Sequence, residues 1–322
     1  MSMNDLKTLI DRIEARRKKR EYVQMAVGVL LAVLVLGGAG YFAMTAVTGD
    51  TSAVVAVAPK PTAFDSVHVT AKAAIVYDLT TGTVLYAKNA EAQLPLASLT
   101  KLLTLYAASE SLSAKSPVVI THKATTVESG SGLREGDTFT FEDAARLAIV
   151  ASSNEAAAAI AEAAAKASES PNGTALLANA ASSIGLTQTY ALNGTGLDEN
   201  GSISGGYGSA HDIAVLAGAL LSRIPEIIHA TLLPNVSATS WNGNSYTLKN
   251  TNPEVAQIPG LMLSKTGYTD LAGGNLAVVF DAGIGHPVAV VVLGSTQDGR
   301  FSDVDILVKA TAQNFAGLTL PQ

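Results

Sequence analysis

Short β-type runs mark both ends of the chain from residue 67 onward, and segments with helical spacing fill the middle. Ala73–Asp78 and Thr83–Lys88 are β-rich runs around a turn closing at Gly82, which predicts a hairpin. Over 94–111, Leu99, Leu102, Leu103, Tyr106 and Ala107 occupy the i, i+3, i+4, i+7, i+8 stripe of one helix. Lys101 interrupts that stripe three positions after Ser98.

Farther on, TFTFEDAARLAIVAS and NEAAAAIAEAAAKASES read as two alanine-rich helices broken at Ser152-Ser153-Asn154. Pro171-Asn172-Gly173 stops the second. SAHDIAVLAGALLSRI predicts another helix, with Ser209 as N-cap and Pro225 past its end. The last third returns to β-type runs in GLMLSKTGYT, NLAVVF and PVAVVVLGS, with a turn from Gly283 to Pro287, before a closing helix in SDVDILVKATAQNF. Strands at both ends with helices between them predict one sheet of sequence-distant strands, packed by helices.

The N-terminus changes the picture. Met25 to Val47 carries no charged residue and exceeds the roughly 20 apolar residues that span a bilayer. Residues 1–24 hold seven Lys/Arg against four Asp/Glu, with the cluster Arg16–Arg20 just before the apolar run. The positive-inside rule then gives a cytoplasmic segment 1–24, a transmembrane anchor 25–47, a linker 48–66 and an extracytoplasmic domain 67–322. A cleaved signal peptide competes, since Ala56-Val57-Ala58 resembles a small-residue cleavage site, and it would make the domain secreted. The remainder of the chain holds 14 basic and 23 acidic residues, a balance that excludes nucleic acid as the main partner. With no cysteine, disulfides, thiolate metal sites and cysteine nucleophiles are excluded as well. His-Glu-x-x-His and Walker A motifs are absent, so no metal or cofactor is expected.

Three short motifs carry candidate chemistry. Ser98-x-x-Lys101 places a hydroxyl and an amine one helical turn apart. A serine hydroxyl needs a base to become a nucleophile, and burial near a second cation would lower the pKa of a lysine enough to supply one. Ser152-x-Asn154 and Lys265-Thr266-Gly267 follow. Taken singly, Lys101 reads equally as a lysine reaching water along an apolar helix face, and Ser152-x-Asn154 as a loop and cap.

Together, and in this order, the motifs resemble those of the penicillin-recognising serine D,D-peptidases, above all the low-molecular-mass D-alanyl-D-alanine carboxypeptidases. ASLTKLLT, GDTFTFEDAARLAIVASSNEAA and KTGYTDLAGGNLAVV are similar to the three motif contexts of that family, over roughly Ala71 to Phe315. The resemblance implies a mixed α/β fold of the β-lactamase and D,D-peptidase kind: an antiparallel sheet flanked by helices, with an inserted all-helical subdomain. It implies Ser98 as nucleophile, Lys101 as base, Ser152 as proton relay and Asn154 as anchor for substrate and lysine. It further implies main-chain N–H groups of Ser98 and Tyr268 as oxyanion donors, with Lys265, Thr266, Gly267 and Tyr268 lining the substrate. Arg300, in GSTQDGRFSDVDILV, would be a second contact for the substrate carboxylate; its plain reading is an exposed turn arginine. The implied partners are a peptidoglycan pentapeptide substrate and β-lactams as covalent inhibitors.

Alternatives stay open at this point. A serine β-lactamase shares fold and motifs, but the class with the closest layout needs Glu-x-x-Leu-Asn, and here Thr189 stands before Leu192-Asn193. A wall-binding or β-lactam-sensing protein would acylate without turnover. A Ser-His-Asp hydrolase is disfavoured by five scattered histidines, His68, His122, His211, His229 and His286, and by the lack of a Gly-x-Ser-x-Gly elbow.

Overall fold

The computed structural model describes residues 62–317, apart from Ser129 and Ile284. The expected cytoplasmic segment, the apolar run 25–47 and most of the linker lie outside the described residues. Among the described residues no single helix is long and apolar enough to cross a membrane.

The framework is a five-stranded antiparallel sheet. Its strands are β1 (Ala73–Asp78), β2 (Thr83–Lys88), β3 (Leu261–Thr269), β4 (Gly273–Asp281) and β5 (Pro287–Ser295). They lie in the order β3-β4-β5-β1-β2, so the two ends of the domain meet where β5 pairs with β1, Val76 opposite Val290. Both faces are buried. Ile75, Leu263, Ala277, Val279 and Val291 point into the larger core, while Val76, Leu276, Val278, Val290 and Val292 point into a second. This period-two sorting explains why the strands read as continuous apolar runs.

The described residues hold six long helices: α1 (Thr100–Ser109), α2 (Phe141–Val150), α3 (Asn154–Ala167), α4 (Gly173–Ser183), α5 (Ala210–Arg223) and α6 (Gly299–Phe315), of which α5 and α6 pack directly on the sheet. The first five join the larger core. The closing helix α6 covers the second face through Val304, Leu307 and Val308. Side-chain caps start α2, α3, α4 and α5, with Thr140, Ser153, Asn172 and Ser209 each accepting a backbone N–H from the first turn.

The expected mixed fold is present, with three differences in detail. The helix expected over 94–111 starts only at Thr100. Pro95 lacks an N–H, Leu94–Pro95 pairs instead with Tyr207–Gly208, and Ala97 sits at φ +47, outside the helical region. Pro171-Asn172-Gly173 both ends α3 and caps α4, a helix the spacing did not reveal. Helices dominate the insertion between β2 and β3, and small antiparallel ribbons accompany them, including Pro117–Val119 with Thr138–Thr140 and Asn235–Thr239 with Ser245–Lys249.

Candidate active site

Ser98 lies in a single 3-10 turn, Ala97–Leu99, that runs into α1. The left-handed Ala97 before it is strained for a residue with a side chain, and it turns the chain so that the serine stands at the positive end of the helix dipole. One turn on, Lys101 is 0% exposed. The stripe leucines around it are buried too, so α1 is enclosed on all sides and the lysine does not reach water.

Three partners surround Lys101 Nζ, each at 2.7 Å: Ser98 Oγ, Asn154 Oδ1 and the Thr195 carbonyl oxygen. Their chemistry sorts the proton. The orientation of Asn154 is set by its Nδ2 donating to Glu128 O at 2.7 Å, so Oδ1 faces the lysine. An amide oxygen and a carbonyl only accept, whereas the serine hydroxyl also donates. A neutral amine has two N–H groups and one lone pair, and only Ser98 has a proton to offer that lone pair. Burial lowers the pKa of Lys101 to about 7, against the opposing pull of the buried Glu155 carboxylate.

The second motif sits in the bend between α2 and α3. Ser152 adopts φ +60 and accepts a hydrogen bond from Lys265 Nζ at 2.9 Å. Lys265 is 1% exposed and also donates to Thr266 O at 2.8 Å. Burial first, then repulsion from Lys101 and Arg300, holds its pKa well below the usual lysine value. Two amines and three hydroxyl or amide groups therefore converge from α1, the α2–α3 bend and β3.

Gly267 brings β3 against the serine. A Cβ there would lie 2.8 Å from Leu96 O and 3.3 Å from the main-chain nitrogens of Ser98 and Leu99. The strand and the nucleophile turn thus meet backbone to backbone, the arrangement that lets main-chain N–H groups of both face one bound oxygen. Thr266 Oγ1 bonds Thr251 Oγ1 at 2.6 Å, and Tyr268 is exposed at the strand's end. Arg300 is buried, not an exposed turn residue: its Nη1 donates to Gly267 O at 2.8 Å and its guanidinium stacks 4.8 Å from the Phe301 ring. It backs the third motif from the N-terminal turn of α6.

Sequence reasoning missed two supports. The Thr195 carbonyl is presented by a loop that Asn193 organises, its Oδ1 accepting from Thr195 N, Thr195 Oγ1 and Gly196 N. Thr251 joins the second and third motifs, since its N–H donates to Val150 O at 3.1 Å. The polar Asn250-Thr251-Asn252 between apolar runs was the available signal for the latter. Thr189 donates to Asp212 Oδ2 at 2.9 Å, so Asp212 holds the side chain where a β-lactamase of the closest layout would carry its glutamate.

Fold and site together bring a serine hydroxyl and a buried lysine amine into hydrogen-bond contact beside the backbone of a sheet strand, the equipment of a serine acyl-transfer enzyme. The chain belongs to the D-alanyl-D-alanine carboxypeptidase family, whose profile matches residues 56–297, and it is a serine peptidase of that family. It is similar to D-alanyl-D-alanine carboxypeptidase DacD of Salmonella typhimurium, 33% identical over 86% of this chain and 70% of that protein. Similarity to DacF of Bacillus subtilis is 30% identity over 73% of this chain and 60% of the relative. The fold matches penicillin-binding protein D2 of Listeria monocytogenes, solved with ampicillin bound, at a TM-score of 0.63 and 27% identity, covering 76% of this chain and 98% of that one.

Proposed function

We propose that this chain removes the terminal D-alanine from peptidoglycan stem pentapeptides through an acyl-enzyme on Ser98. The supporting observation is the buried Lys101 amine, whose three hydrogen-bond partners among the described residues include one with a proton to give, the Ser98 hydroxyl. Lys101 takes the serine proton as Oγ attacks the carbonyl of the penultimate D-alanine. The resulting oxyanion is held by the main-chain N–H groups of Ser98 and Tyr268, donors worth about 3–4 kcal/mol each in acyl transfer. Ser152, bonded to Lys265, passes a proton to the leaving amine, the C–N bond breaks and D-alanine departs. Water then attacks the Ser98 ester, releasing the shortened peptide and restoring the hydroxyl. Thr266 and Lys265 receive the substrate's terminal carboxylate, with Arg300 fixing the strand that carries them. β-Lactams acylate the same serine.

The apolar run 25–47 tethers the domain to the outer face of the cytoplasmic membrane in this reading, supported by the basic cluster before it.

The test is intact mass after incubation with penicillin, followed by release of D-alanine from a pentapeptide. One covalent adduct mapping to Ser98, its loss in Ser98→Ala, and many equivalents of D-alanine per enzyme are expected. A single equivalent would make the protein a sensor, and an adduct persisting in Ser98→Ala would place the nucleophile elsewhere.

A further inference from the structure

The chain's single tryptophan, Trp241, is 63% exposed. It stands at the turn between the ribbon strands Asn235–Thr239 and Ser245–Lys249. Burying a large apolar side chain contributes about 1.5–3 kcal/mol to folding, and here the fold leaves that contribution aside.

The turn beneath the indole is nevertheless rigid. The buried Asp137 carboxylate accepts from Ser240 Oγ at 2.9 Å, Asn244 Nδ2 at 2.7 Å, Tyr246 Oη and the Arg134 N–H. Trp241 N donates to Thr138 O at 2.8 Å and Asn242 Nδ2 to Gly136 O at 3.0 Å. A large exposed ring on a fixed support is a preorganised binding surface, because little order remains to be imposed when a ligand arrives.

Its position relates it to the catalytic residues. The ribbon's other end continues into Thr251, which contacts Thr266. From Ser245 to Thr251 is six residues, about 20 Å at strand rise. The loop 128–137 runs between the same two places, from the Glu128 carbonyl on Asn154 to the Gly136 carbonyl on Asn242. A stem peptide bound at Ser98 reaches back through four residues and one short link to its sugar, about 17 Å when extended. The two lengths are of the same order, so a sugar carried past Asn154, along the 128–137 side, comes within reach of the turn.

We infer that the Trp241 turn is a carbohydrate subsite, on which the indole stacks against a pyranose ring of the glycan that carries the substrate peptide. The inference rests on the proposed peptidoglycan activity. The same turn carries Asn242 and Asn244, whose amide nitrogens donate to Gly136 O and Asp137 Oδ1, with the Arg134 guanidinium 3.5 Å from Asn244 Oδ1; the Asn242 Oδ1 and the other guanidinium N–H groups are the partners offered to hydroxyl and acetamido groups. A lipid surface suits the turn less: Glu135 is exposed at its base, and the chain beyond residue 24 carries 23 acidic against 14 basic residues, which anionic headgroups repel.

Because Trp241 is the only indole, its emission reports occupancy directly. The full chain is titrated with an N-acetylglucosamine oligomer, with peptide-free glycan strands and with phosphatidylglycerol vesicles. A saturable emission shift with the sugars and none with vesicles is expected. Trp241→Ala should lower kcat/KM about tenfold on glycan-borne pentapeptide, the size typical of a lost aromatic anchor, and leave free pentapeptide and penicillin labelling unchanged. Trp241→Phe should recover part of the loss. No shift with sugar, a shift with vesicles alone, or an equal change on both pentapeptide substrates would overturn the subsite. Intact D-alanine release with a silent indole sinks this inference alone, whereas absent D-alanine release sinks the activity and leaves the sugar titration readable.

Discussion

At the scale of single residues, the proposed acylation rests on the protonation of Lys101. Its base form grows as pH rises through about 7, the value burial imposes, so the rate of penicillin acylation should climb across the same range. Glu155 favours the charged form. Glu155→Gln should therefore move the acid limb of that profile to lower pH, read from acylation rates in the variant and wild type; an unmoved limb would uncouple the carboxylate from the lysine. Lys101→Arg should cut acylation at least 100-fold, within the range expected for loss of a general base, because a guanidinium keeps its proton. Near-normal labelling in that variant would remove Lys101 from the role. That Ser98, Lys101, Ser152, Asn154 and Lys265 come together was legible in the sequence because each belongs to a motif read from side-chain identity. The Thr195 carbonyl was not, since a main-chain acceptor leaves no mark on residue identity.

At the scale of elements, legibility followed the strength of local signals. The bounds of β1 and β2 were read to the residue, because a β-rich pattern and a glycine at φ +71 both point to the same turn. Spacing in 94–111 identified buried positions correctly, yet it could not say where the helix begins: alanine is the best helix former, and Ala97 is nevertheless left-handed where the chain leaves its pairing with the 206–208 strand. The ribbon that carries Trp241 went unread because its strands alternate on a largely exposed surface. The approach of β3 to the nucleophile turn gives the prediction proper to this scale. Gly267→Ala places a methyl against Leu96 O, so the strand must withdraw from Ser98. Acylation should fall about 100-fold or more, as when one oxyanion donor is removed, while thermal unfolding shows a folded protein. Unchanged acylation would mean that the contact plays no part in the reaction.

At the scale of the whole molecule, what the sequence could not disclose was the order of strands, since each buried run is equally suited to several neighbours. The observed order closes the domain by seating β5 beside β1, and a hydrogen bond marks that closure: His286 Nε2 lies 2.7 Å from Asp78 Oδ2. Burial works against the Asp78 charge, but hydrogen bonds from His286, Thr81 and Thr80 outweigh it and bring the pKa to about 2, from 3.8. The sign follows: the contribution is whole above 3.8 and is lost as pH falls through about 2. The melting temperature should therefore decline between those values, and less so in Asp78→Asn; equal acid sensitivity in both would assign the loss to other groups. The closed fold also confines the serine turn between two remote segments. A side chain at Gly196 would overlap the Ala97 carbonyl, and one at Gly267 would strike Leu96. A methyl at either position displaces the turn that carries Ser98 itself, so it disables substrate and β-lactam alike; a variant that tells the two apart has to change residues that leave this turn in place.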